Sequence, residues 1–135
     1  TSTTTGWPVG FWWSELTHPY LAFQEVGYEV EIFSPDGGAC AADALSDPRD
    51  PSGYSATDLV SLGFLSTPSL AALVESTQPV ARLDAARFDA LVVAGGQAPM
   101  FSFEGARTLQ AKFAELYEAG AVVAAHRGVA GIRCG

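Results

Sequence analysis

The chain has 135 residues, 15 of them acidic against 7 Lys and Arg, for a formal net charge of −8, and 48% of its residues are hydrophobic. It is too apolar for disorder, long enough for one buried core, and too acidic to replace the condensed counterions of a nucleic acid. No apolar run approaches the roughly 20 residues that cross a bilayer, so neither nucleic acid nor membrane is expected as a partner. The start lacks the basic and apolar regions of a targeting leader. Two cysteines, Cys40 and Cys134, make no disulfide framework, and a reducing, cytoplasmic setting is expected. The chain opens on Thr1-Ser2-Thr3-Thr4-Thr5-Gly6 and stops at Ile132-Arg133-Cys134-Gly135, inside a predicted helix, which reads as a fragment.

In chain order, the first predicted element is a helix over 17–26. Thr17 is its expected cap, Pro19 falls in its first turn, and Gly27 supplies a left-handed stop. Tyr20, Phe23 and Val26 form its expected buried stripe. A strand over 28–33 follows, with Tyr28, Val30 and Ile32 alternating onto one face before the turn Ser34-Pro35-Asp36-Gly37. Residues 39–55, broken by Asp47-Pro48, Asp50-Pro51 and Ser52-Gly53, read as a long surface loop, a length that is usually functional. Short helices are predicted over 56–62 and 68–76, the second with Thr67 as cap and Pro68 at its first position.

Two short apolar runs, 90–94 and 121–125, do not alternate, as expected of parallel strands covered on both faces. Between them, 105–119 carries Leu109, Phe113, Leu116 and Tyr117 at helical spacing, and Gly120 ends it. This is a β-α-β unit, and the crossover rule makes its strands parallel. The fold class is therefore α/β with a parallel sheet.

Ligands of open parallel sheets bind at the carboxyl ends of the strands. Here those ends are Ser34-Pro35-Asp36, Gly95-Gly96-Gln97-Ala98-Pro99 and His126-Arg127-Gly128. The turn Ala125-His126-Arg127-Gly128-Val129-Ala130-Gly131 crowds small residues around one polar position, as a nucleophile elbow requires. On spacing alone an ordinary β-α turn is favoured, because His126 and Arg127 are not the Ser or Cys such an elbow holds. Gly95-Gly96 lets backbone N–H groups approach a ligand oxygen, although a plain turn reads the same way. Glu15 sits among Phe11, Trp12 and Trp13 before the predicted cap. It can serve as an acid or base there, or simply as a helix-start carboxylate facing the dipole. His18 reads as structural, and Cys40 has no basic neighbour to activate it. Two His and two Cys without zinc spacing give no metal site.

Taken together, the segments 10–20, Ala22-Phe23, 27–30, 34–38, 88–90, 95–100 and 117–125 resemble the ThiJ/PfpI superfamily. The branch is the one that holds glutathione-independent glyoxalases and heat-shock chaperones. The resemblance runs in order through nearly the whole chain. It implies a flavodoxin-like three-layer sandwich, related to class I glutamine amidotransferases and truncated here at both ends. Residues 1–135 would then be a single, incomplete domain. It further implies a Cys-His-Gly elbow, a helix-start glutamate mapping to Glu15, and an oxygen-holding Gly-Gly loop mapping to Gly95, Gly96 and Gln97. Activities in the branch include conversion of methylglyoxal to lactate, deglycation and holdase chaperoning, so a small aldehyde or carbonyl substrate is implied and no cofactor.

The elbow departs from the pattern. Anchored on Gly128, His126 takes the cysteine's place and Arg127 the histidine's. An imidazole cannot form the thiohemiacetal with which the lyase chemistry begins. The chain as written is therefore expected to be an inactive relative of the enzymes, with Glu15, His126 and Arg127 at the site. The alternative is a non-catalytic binding or chaperone-like protein, or one piece of a larger assembly. A Glu15–His126 charge pair is expected if the pocket is kept for binding. An unpaired sheet edge makes a homo-oligomer, or completion by missing segments, the expected state.

Overall fold

The computed structural model describes residues 10–96 and 106–126. The first helix, α1 (Trp13–Glu25), begins four residues before the predicted start, because tertiary partners satisfy its first amides. Trp13 N donates to Ser46 Oγ at 3.1 Å, which fills a role that sequence reading gave to Thr17. Thr17 is instead a fully buried helix-interior residue, its hydroxyl 2.7 Å from that of Ser61. Pro19 consequently lies inside the helix, where its missing N–H leaves the Glu15 carbonyl without the usual donor. Gly27, at φ +91°, stops the helix as expected. Val26 is 70% exposed, outside the buried stripe.

The predicted strand 28–33 is paired only at its end. β1 (Phe33–Ser34) runs parallel to β2 (Gln78–Pro79), and 28–32 have no ladder partner among the described residues. A strand needs a neighbour's carbonyls as well as a pattern, and Tyr28 is accordingly more than half exposed. The alternation still has a consequence. Ile32 packs on the cluster of Trp13, Phe64 and Val74, and the next residue, Phe33, packs on Val80, Leu83 and Leu116. Consecutive side chains thus serve cores on opposite faces, the property of a strand in the middle layer of a sandwich.

One outer layer is α1 with α2 (Leu59–Ser66) and α3 (Pro68–Glu75). α2 starts three residues later than predicted, where the Asp58 carboxylate accepts from Ser61 N at 3.1 Å; residues 54–57 are turn. Pro68 opens α3 as expected. Thr67 does not cap it with its side chain, since that hydroxyl donates backwards to the Gly63 carbonyl at 2.9 Å. The other side is the predicted β-α-β unit: β3 (Ala90–Val93), α4 (Arg107–Glu118) and β4 (Val122–Ala125). Its strands are parallel, with Ala90 opposite Val122 and Val93 opposite Ala125. Leu116 and Phe113 of α4 are buried beneath them, and Gly120 at φ +86° turns the chain into β4. Coverage of both faces holds for the buried Val93 but not for β4, where Val122 is 69% exposed.

Residues 39–55 form neither α-helix nor ladder strand, but they are anchored. A 3-10 turn spans Ala44–Ser46, and Asp43, Ser46 and Pro48 are buried.

Asp58 joins α1 to α2. It caps α2, accepts a short bond from Ser61 Oγ, and lies 2.8 Å from His18 Nε2. Burial pushes its carboxyl up, but the bonds from Ser61 and His18 outweigh this and leave it below the usual carboxylate value. A lowered folded value contributes stability above the carboxylate range, and that contribution is lost as pH falls through it. Asp58→Ala is expected to cost about 1–2 kcal/mol in urea denaturation at pH 7. The gap from the parent chain should close on acidification, and a gap that widens toward low pH contradicts this account.

Candidate functional site

The short segment 10–12 joins the carboxyl end of β3 to the anchored segment around Ala42. Phe11 bridges Ala42 in parallel fashion on one side and Gly96 in antiparallel fashion on the other. Phe11 N donates to the Ala41 carbonyl at 3.2 Å, and Trp12 N donates to the Gly95 carbonyl at 3.0 Å. Gly10 N donates to the buried Asp43 carboxylate at 2.8 Å, and Asp43 N returns a bond to the Phe11 carbonyl at 2.8 Å. Asp43 and Ser46 therefore hold the start of α1 in place. Sequence reading missed both, and the available signal was the D-x-x-S spacing, in which Ser46 Oγ donates to the Asp43 carbonyl at 2.7 Å.

Glycine is required on both sides of this seam. A Cβ on Gly10 would collide with the Ala41 carbonyl oxygen. Gly96 has φ +133°, and a Cβ there would stand 2.5 Å from the Gly10 carbonyl oxygen and 2.8 Å from Trp12 N. The pair Gly95-Gly96 is thus used for close backbone approach, first of all by the chain's own segment 10–12.

Glu15 follows in the first turn of α1. Its Oε2 is buried and has no hydrogen-bond partner among the described residues. A buried carboxylate oxygen left unpaired costs more than a hydrogen bond returns, so this atom is the one polar side-chain atom there that packing does not explain. On the far side of β3, His126 N donates to the Val93 carbonyl at 3.0 Å, extending the β3–β4 register by one residue. Gly95 is thus bonded to the entry of α1, the helix that carries Glu15, and His126 to β3, the strand that leads into Gly95. Gln97 and Arg127 lie outside the described residues.

The expected Glu15–His126 charge pair is not made. Among the described residues Glu15 takes part in no ion pair, and the His126 side chain is exposed. Its backbone continues the β4 ladder, and the charge-pair expectation had treated the elbow as a side-chain position only. Cys40, half-buried, directs its Sγ to within 3.7 Å of Thr77 Oγ1. Cys134 lies outside the described residues. Among the described residues no group of three His, Cys, Asp or Glu could hold a metal ion, and no helix is long and apolar enough to cross a membrane.

No family model matches the chain. The glutathione-independent glyoxalase hsp3101 of Schizosaccharomyces pombe is 28% identical over 120 residues, covering 89% of this chain and 48% of that protein. The Rapid Encystment Protein 24 KDa of Francisella tularensis superposes with a TM-score of 0.75 at 26% identity, over 90% of this chain and 51% of the other. Glyoxalase III of Candida albicans superposes with a TM-score of 0.70 at 23% identity, over 87% and 47%, and contributes a likeness of fold alone. The chain spans about half the length of these relatives. The resemblance to the ThiJ/PfpI superfamily holds, and with it the flavodoxin-like α/β fold.

Proposed function

We propose that this chain carries the carbonyl-binding part of a glutathione-independent glyoxalase-type site, whose ligand is a small 2-oxoaldehyde such as methylglyoxal. The observation that carries the reading is Glu15 Oε2, buried and without a hydrogen-bond partner among the described residues, in the helix whose entry, Trp12, is bonded to the Gly95 carbonyl. A carboxylate oxygen with no donor among the described residues can take a proton from a ligand, and the Gly95-Gly96 backbone can cradle a carbonyl oxygen. Conversion of a 2-oxoaldehyde to a 2-hydroxy acid adds water and moves one proton between adjacent carbons, which requires such a base. It also requires a thiolate to hold the aldehyde carbon, and His126 stands where that thiol belongs. The 135-residue chain therefore binds a carbonyl compound without turning it over. That residues 28–32 have no ladder partner among the described residues supports self-association or completion by a further strand.

Hydroxyacetone, which keeps the carbonyl but does not glycate arginine, is the probe for a ¹⁵N NMR titration. Saturable shifts are expected at the amides of Glu15, Gly96 and His126. Shifts scattered over the surface, or none at these three amides, overturn the reading.

A further inference from the structure

A cleft lies at the first turn of α1, between that helix and the entry to α2. It is a shallow depression of about 480 Å³, largely open to solvent, and its walls include Trp12, Ser14, His18, Tyr54, Thr57 and Asp58. Glu15 is not among its described walls, so it is distinct from the carbonyl site.

The rings of Trp12 and Tyr54 meet at 81° with centroids 6.0 Å apart, which makes an aromatic corner. Tyr54 is 70% exposed, so this ring is not held there as core. Opposite the corner stands the His18–Asp58 pair at 2.8 Å. A carboxylate only accepts, so the ring nitrogen facing Asp58 carries the hydrogen. In the neutral ring, Nδ1 is then left as an acceptor on a side chain that is 52% exposed. The described walls hold no Lys or Arg, and the whole chain carries a net charge of −8.

Aromatic faces at right angles attract a cation, the carboxylate behind the imidazole adds a negative potential, and the acceptors reward N–H donors. We propose that this cleft binds a small organic compound bearing a primary ammonium group, with the cation in the Trp12–Tyr54 corner and its N–H groups directed at His18 and the neighbouring hydroxyls. An anion finds no donor of matching charge there, and a purely apolar ligand leaves the His18–Asp58 side unused.

The test is a ligand-observed NMR titration of the full chain with n-butylammonium, butyrate and 1-butanol at constant ionic strength. Saturable binding of butylammonium is expected, at least tenfold stronger than that of either control. Tyr54→Phe should keep it, and Tyr54→Ala should weaken it about three- to tenfold, with an unchanged far-UV circular dichroism spectrum establishing that the exposed position leaves the fold intact. A lysine peptide, Gly-Lys-Gly amide, run in parallel tells a protein side chain from a free amine as the source of the cation. Equal binding of butyrate, absence of saturation, or a Tyr54→Ala variant that binds as the parent does each overturns the proposal.

Discussion

His126→Cys is expected to create lactate production from methylglyoxal in a chain that otherwise has none. The parent chain should show no turnover above buffer, because neither of its cysteines stands at the elbow. Cys40 is turned toward Thr77, and Cys134 lies beyond the β4 end. Position 126 is held by its amide bond to Val93 at the end of the β3–β4 register, next to the strand that leads into Gly95 and Gly96. A thiol there stands one residue past the end of β4, beside the strand that leads into Gly95-Gly96, and the proposed function makes Glu15 the proton acceptor of the reaction. We expect a rate clearly above that of buffer, and its fall to the buffer rate when Glu15→Gln is added, since one general base carries about 10²-fold or more. Lactate formed by the parent chain would exclude the requirement for an elbow thiol. A His126→Cys chain whose activity ignores Glu15→Gln would exclude the role given to the carboxylate.

Gly96→Ala is expected to be the most damaging single-methyl change for stability. Most added methyl groups can be accommodated by side-chain rotation, but the atoms facing Gly96 are the Gly10 carbonyl oxygen and Trp12 N, which are backbone. The φ of +133° adds a conformation that an L side chain rarely adopts. Steric clash and backbone strain together should cost on the order of 3–5 kcal/mol. For a chain of this size that corresponds to a fall in Tm of more than about 10 °C, measurable by differential scanning calorimetry. Gly53→Ala is the matched control. It also has positive φ, at +70°, but nothing within 4 Å of its Cβ, so it should cost only the backbone term. Equal losses at the two positions would show that strain alone, and not the seam, governs the effect.

How much of this was legible in the sequence depends on whether the partner of each group was local. The β-α-β unit was readable, because Leu109, Phe113 and Leu116 repeat at helical spacing and Gly120 marks the turn within the same stretch. The start of α1 was not. What begins it at Trp13 is a hydroxyl 33 residues away, on Ser46, and no local pattern announces that bond. Thr17 was misread as a cap for the same reason, since its hydroxyl is spent on Ser61, 44 residues on. The strand pattern of 28–33 told which way the side chains point but not whether a neighbour is present. Of the candidate site, Glu15 and Gly95-Gly96 were found from residue type and position. Asp43 and Ser46, which hold them, lie in a segment whose Pro and Gly content disguised its buried anchors.

Phe11 touches partners about 30 and about 85 residues away along the chain, on opposite sides of one backbone segment. The bridge to Gly96 closes the longer loop and carries the larger entropic cost, while the bridge to Ala42 and the β3–β4 pairing both close over about 30 residues. The Phe11–Gly96 bridge is therefore expected to lock after the β3–β4 pairing and the Phe11–Ala42 bridge. The Gly95-Gly96 side of the candidate site is thus the part whose formation depends on the most distant contact along the chain.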